Sequence, residues 1–134
     1  APHIIVLPEG LPKGISDELV ASFDVYWSHK NLCVNALRNA LEAVLEHFGI
    51  PDEIGGNWVS MGNRLIEFAK VEPEHAEFLK LLKPIVNAGS HGTTIETDTL
   101  LDVFEALEIF LGEIFSDRAT RFHDLKARLS SPNK

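Results

Sequence analysis

The chain is poor in the residues that tie a fold together covalently: Cys33 is the one cysteine among 134 residues. A lone cysteine closes no internal disulfide and builds no cysteine-based metal site, and the leucine and valine beside it predict a buried structural thiol. Long apolar runs are also missing. Ile4-Ile5-Val6-Leu7 is among the longest, far short of the roughly 20 residues that cross a bilayer, and no basic-then-apolar leader is visible. A cytoplasmic protein with no membrane partner is expected. The chain opens on Ala1 and not on Met, as a processed chain or a segment of a longer one does. No block of like charge and no low-complexity tract interrupts it, and at 45% hydrophobic and 24% charged residues it reads as one globular domain. The formal net charge of −8 repels phosphate backbones at long range, which argues against a sequence-independent nucleic-acid binder but leaves RNA at a local site open.

The signatures of several enzyme classes are absent as well. There is no Gly-rich phosphate loop ending in Gly-Lys-Ser/Thr, no His-Glu-x-x-His and no Gly-x-Ser-x-Gly elbow. No cofactor and no metal site are expected.

What is present is helical periodicity. Residues 1–15 hold Pro2, Pro8, Gly10, Pro12 and Gly14, a spacing that predicts an extended arm, with room for a short strand at His3 to Leu7, whose apolar side chains lie on the body. The domain proper is expected over 16–134. Ser16 before Asp17 and Glu18 reads as an N-cap for a first helix to about His29 that buries Leu19, Val20, Phe23 and Trp27. A second helix, about 31–48, places Leu37, Leu41, Val44, Leu45 and Phe48 on one stripe and ends at Gly49-Ile50-Pro51. A third spans about 51–71, with Ile54, Trp58, Met61, Leu65 and Phe68 in period and Gly55-Gly56 as a break before the helix proper.

Pro73 opens a fourth helix that buries Phe78, Leu81, Leu82 and Ile85, and Pro84 within it predicts a kink. A fifth, capped by Thr97 or Thr99, turns Leu100, Val103, Phe104, Leu107, Phe110, Leu111 and Ile114 inward. Its Asp102, Glu105 and Glu108 read as a solvated acidic face. Asp117 caps a final helix carrying Phe122 and Leu125 among Arg118, Arg121, Lys126 and Arg128. With no convincing succession of strands, the expected fold is all-α: a bundle of five to six helices with an extended N-terminal arm.

Two polar groups stand out from a plain bundle. Asn87-Ala88-Gly89-Ser90-His91-Gly92 reads as a glycine-permitted bend between the fourth and fifth helices that presents Asn87, Ser90 and His91. Arg38 and Glu42 stand four apart beside the buried stripe of the second helix, where they can pair. An imidazole can serve as general acid or base, a guanidinium can stabilise a phosphorane-like charge, and Asn or Ser can orient a phosphate. Together these would suit metal-free RNA cleavage. The plainer alternative is that His91 and Asn87 cap the end of the fourth helix. Lys83, two turns before His91, is a further source of charge for binding, or a plain surface lysine.

The run Leu82-Lys83-Pro84-Ile85-Val86-Asn87-Ala88-Gly89-Ser90-His91, followed after a spacer by Asp102-Val103-Phe104-Glu105-Ala106-Leu107-Glu108, resembles a helical domain-of-unknown-function family often fused to restriction-enzyme motor subunits. Leu37-Arg38-Asn39-Ala40-Leu41-Glu42 resembles that family's Leu-Arg-x-x-Leu-Glu hallmark. The resemblance covers about residues 16–116. That family is similar to the HEPN superfamily, helical domains that commonly dimerise and include metal-independent ribonucleases. By resemblance, His91 takes the place of the HEPN histidine and Asn87 that of the polar residue, whereas Val86 stands where the arginine should be. The resemblance thus implies a homodimeric, HEPN-like recognition or assembly module, non-catalytic or weakly catalytic, in a prokaryotic nucleic-acid-handling or defence system. The alternatives are a ribonuclease in which Arg38 and Glu42 approach Asn87 and His91 from the second helix, and a purely structural accessory domain.

Overall fold

The structure is a computed structural model that describes residues 4–90 and 94–130, with Ser90 through its backbone alone. Among the described residues six helices and one short hairpin follow in order: α1 (Lys13–Tyr26), α2 (Lys30–His47), β1 (Glu53–Ile54), β2 (Asn57–Trp58), α3 (Met61–Val71), α4 (Pro73–Ser90), α5 (Thr97–Phe115) and α6 (Asp117–Ser130). The fold is all-α, and among the described residues no helix is long and apolar enough to cross a membrane.

The arm of residues 4–12 holds no strand and turns at Pro8 to Leu11, where Leu11 N–H donates to Pro8 O at 3.2 Å; most of its apolar side chains lie on the body, Ile5 buried and Ile4, Leu7 and Leu11 packed against the core, whereas Val6 is 78% exposed. It is pinned by the backbone N–H of Val6, which donates to Glu108 Oε2 at 2.6 Å, so Glu108 leaves the acidic face for a structural bond. His3 lies outside the described residues.

Helix α1 starts at Lys13, earlier than the Ser16 cap predicts, because Pro12 accepts from the N–H groups of Ile15 and Ser16. It also stops at Tyr26. Tyr26 is the buried aromatic, and Trp27, expected in the core, stands 79% exposed. The end of α2 follows the expected glycine cap. Gly49 adopts φ 77°, its N–H donates to Glu46 O, and the N–H of Ile50 donates to Leu45 O, the paired bonds of a Schellman motif.

Residues 51–60 are not helical. Gly55 and Gly56, at φ 58° and 82°, form the two-residue turn of a hairpin that pairs Glu53 with Trp58 and Ile54 with Asn57. Ile54 and Trp58 are exposed in consequence. Ser60 then caps α3, its hydroxyl accepting from Asn63 N–H at 3.2 Å. Helix α4 begins at Pro73 as expected and runs through Pro84 to Ser90. Phe78, Leu82 and Ile85 are buried or partly so, but Leu81 is on the outer face. Helix α5 has Glu96, not a threonine, at its N-cap position, and for α6 it is Ser116 rather than Asp117 whose side chain caps, accepting from Ala119 N–H at 3.1 Å.

Three helix pairings position everything else: α1 on α2, α2 on α4 and α3 on α4. Helices α2 and α4 run antiparallel: Gly89 meets Val34 at one end, and the His75 ring lies 6.5 Å from Phe48 at the other. Helix α5 lies across α1, α2 and α4 through aromatic contacts. Phe104 meets Phe23 and Tyr26, Phe115 meets His47, and Phe110 stacks on Phe78 at 4.7 Å. Each such pair adds about 0.5–1.5 kcal/mol beyond the area it buries.

Cys33 is fully buried, and burial pushes its thiol up to about 11. The unfolded thiol titrates near ~8.5, so between that value and the folded one the native state holds the extra proton and stability falls as pH rises. Below that window the group contributes nothing to the pH dependence. A thiol reagent at pH near 8 is expected to label the native protein only as fast as it unfolds; immediate labelling without denaturant would contradict the burial.

Candidate functional site at the α2/α4 seam

The seam is set by one glycine. Gly89 is helical with no positive φ, so the conformational freedom expected at a bend is not why it is glycine. A Cβ at this position would lie 2.4 Å from Val34 Cγ1 and 2.9 Å from Val34 Cβ; only a hydrogen fits between the α4 backbone and the Val34 side chain. The expected bend at Asn87 to Gly92 is corrected accordingly: Asn87 to Ser90 form the last turn of α4. His91 and Gly92 lie outside the described residues, as does the Ser90 side chain.

With Val34 level with Gly89, Asn87 stands beside the level of Ala36. Arg38 is two residues further along α2, roughly 3 Å at ~1.5 Å per residue. Both side chains are half-buried and both hold an atom shut away without a hydrogen-bond partner, Nε of Arg38 and Oδ1 of Asn87. Arg38 Nε lies 3.9 Å from Glu42 Oε1, an ion pair too long to be a hydrogen bond. The spacing of Arg38 and Glu42 thus produces the expected pair, and a buried polar atom left unpartnered costs about 1–3 kcal/mol. Lys83, one turn before Asn87, turns toward α3. Its Nζ comes within 3.2 Å of where a Cβ on Gly62 would stand, beside the Ser60 cap.

Sequence reasoning missed Arg64. It is 4% exposed, its Nη2 donates to Ile50 O at 2.7 Å, its Nε has no partner, and it makes no ion pair among the described residues. The signal was its place in the apolar frame of α3, three residues after Met61 and four before Phe68. Among the described residues no group of three or more His, Cys, Asp or Glu is placed to hold a metal.

The class defined so far is a helical bundle built around a glycine-tight antiparallel pair, with a half-buried Arg-Glu pair on α2. Over residues 21–130 the chain matches the family described as Domain of unknown function (DUF4145), and it belongs to that family. The match runs from α1 to the end of α6, so it takes in the whole seam. No curated protein and no solved structure matches the chain.

Proposed function

We propose that this chain is a HEPN-like recognition and assembly module, non-catalytic, acting as a cytoplasmic homodimer in a prokaryotic nucleic-acid-handling or defence system. The observation that supports it is α6, which has no buried residue although it carries Phe122 and Leu129, 63% and 77% exposed. Large apolar side chains gathered on a helix that packs against little of its own chain mark an interaction surface. The acidic balance favours a protein partner over free nucleic acid. Sedimentation velocity on the purified chain is expected to give a dimer. A monomer at every concentration would overturn the reading.

A metal-independent ribonuclease is the second reading, favoured by two polar atoms shut away without a hydrogen-bond partner, Arg38 Nε and Asn87 Oδ1. In it Arg38 stabilises the anion, Asn87 orients the phosphate, His91 acts as acid or base, Glu42 holds Arg38, and Ser90 and Lys83 bind. Labelled RNA incubated with the protein in EDTA separates the two readings. The assembly module leaves the RNA intact with wild type and with His91→Ala alike, whereas cleavage by wild type that is lost in His91→Ala selects the enzyme.

A further inference from the structure

The outer face of α6 is ordered by charge as well as by hydropathy. At about 100° per residue, Phe122, Leu125 and Leu129 fall on one stripe. Arg118 lies within it, Arg121 and Arg128 flank one side, and Lys126 flanks the other, its Nζ 5.6 Å from the centre of the Phe122 ring. Asp117 and Asp124 lie further round the helix. None of the four cations makes an ion pair among the described residues.

A complementary surface lies elsewhere on the same molecule. Between α4 and α5 is a cleft of about 390 Å³ whose walls are Phe78, Ile109 and Phe110, with Glu74 and Glu113 at its rim and His75 beside them. Ile109 is 61% exposed, although it stands on a helix whose other face is the core. Asp102 and Glu105 share its face of α5 at helical spacing, and both are exposed. An apolar cleft with Glu74 and Glu113 in its lining fits an apolar stripe flanked by guanidinium and ammonium groups. The pairing of opposite charges selects this partner and its orientation.

We infer that α6 of one copy docks its Phe122, Leu125 and Leu129 stripe into the α4/α5 cleft of a second copy, with Arg118, Arg121, Arg128 and Lys126 facing the acids at the rim. Stripe and cleft are different patches, so a single contact is head-to-tail. Two copies exchanging α6 about a two-fold axis satisfy both contacts and close the assembly as a dimer. The inference rests on the homodimer reading and states which surfaces make it.

Two variants test it, both at exposed positions so that helix content stays that of wild type: Phe122→Asp/Leu125→Asp on the stripe and Ile109→Arg/Glu113→Arg at the cleft. Each is expected to weaken dimerisation by at least about tenfold, since a few apolar anchors carry most of an interface's affinity. A mixture of the two is expected to associate more tightly than either variant alone, because one copy keeps its α6 and the other its cleft. That rescue is specific to stripe docking into cleft. If the stripe variant dimerises like wild type, α6 is not in the interface and the inference fails while the homodimer reading stands. If the stripe variant is monomeric but the cleft variant is unaffected, α6 packs on α6 and the inference fails too. A monomeric wild type overturns the homodimer reading itself.

Discussion

Replacing Gly89 by alanine is expected to destabilise the protein by about 2 kcal/mol, although alanine is ordinarily the better helix residue by about 1 kcal/mol. The sign is decided by Val34. The new methyl would stand 2.4, 2.9 and 3.1 Å from Val34 Cγ1, Cβ and Cγ2. Rotation about χ1 can move the two methyl groups of Val34, but not its Cβ, so α4 has to back away from α2. Overpacking of this kind costs about 1–3 kcal/mol, and here two helix backbones must part. Urea denaturation should show a lower midpoint at unchanged slope. Adding Val34→Ala to Gly89→Ala removes the 2.4 and 3.1 Å contacts, and the pair should couple by about 1 kcal/mol. A Gly89→Ala protein as stable as wild type would mean that the helices are not in contact here, and the levels assigned to Arg38 and Asn87 would fall with it.

Gly89 also marks where the sequence stops being legible. A glycine is required either by its own backbone angles or by a neighbour that leaves no room, and only the first requirement is local. Gly49 and the Gly55-Gly56 pair are of the local kind, and their surroundings announce them: Ile50-Pro51 after the one, Ile54 and Asn57-Trp58 about the other. The neighbour that excludes a side chain at position 89 is Val34, 55 residues away in sequence. The inner faces of α2 and α5 were readable because a single stripe has one place to go. Trp27 and Leu81 were misassigned because helical period does not say which border of a stripe the neighbouring helix covers. At the seam, spacing alone gave the Arg38 and Glu42 pair, since both stand on one helix. That Arg38 stands near the level of Asn87 follows only from the register of two helices. The α4/α5 cleft depends likewise on Phe110 stacking on Phe78, which no local pattern encodes.

Truncating Arg64 to alanine is expected to produce the largest loss of stability among these changes, about 3 kcal/mol. A hydrogen bond from a charged donor contributes about 1.5–3 kcal/mol, and this one serves the carbonyl of Ile50, the residue that completes the cap of α2. Alanine also empties the space that the arginine stem fills. A second substitution separates these contributions. A guanidinium 4% exposed and without a carboxylate partner bears an uncompensated desolvation cost, which its removal relieves. Arg64→Met keeps most of the volume, loses the bond and sheds the charge, so it should lie within about 1 kcal/mol of wild type. If methionine were as damaging as alanine, the bond to Ile50 would outweigh packing and desolvation together. If alanine were tolerated, Arg64 would not be holding the end of α2 at all. Because the end of α2 lies roughly 14 Å beyond Arg38 at ~1.5 Å per residue, and because neither the α6 stripe nor the α4/α5 cleft includes Arg64, Arg64→Met should dimerise as wild type does. A fall in midpoint without a change in dimerisation would separate the clamp that keeps the bundle folded from the surfaces that let it assemble.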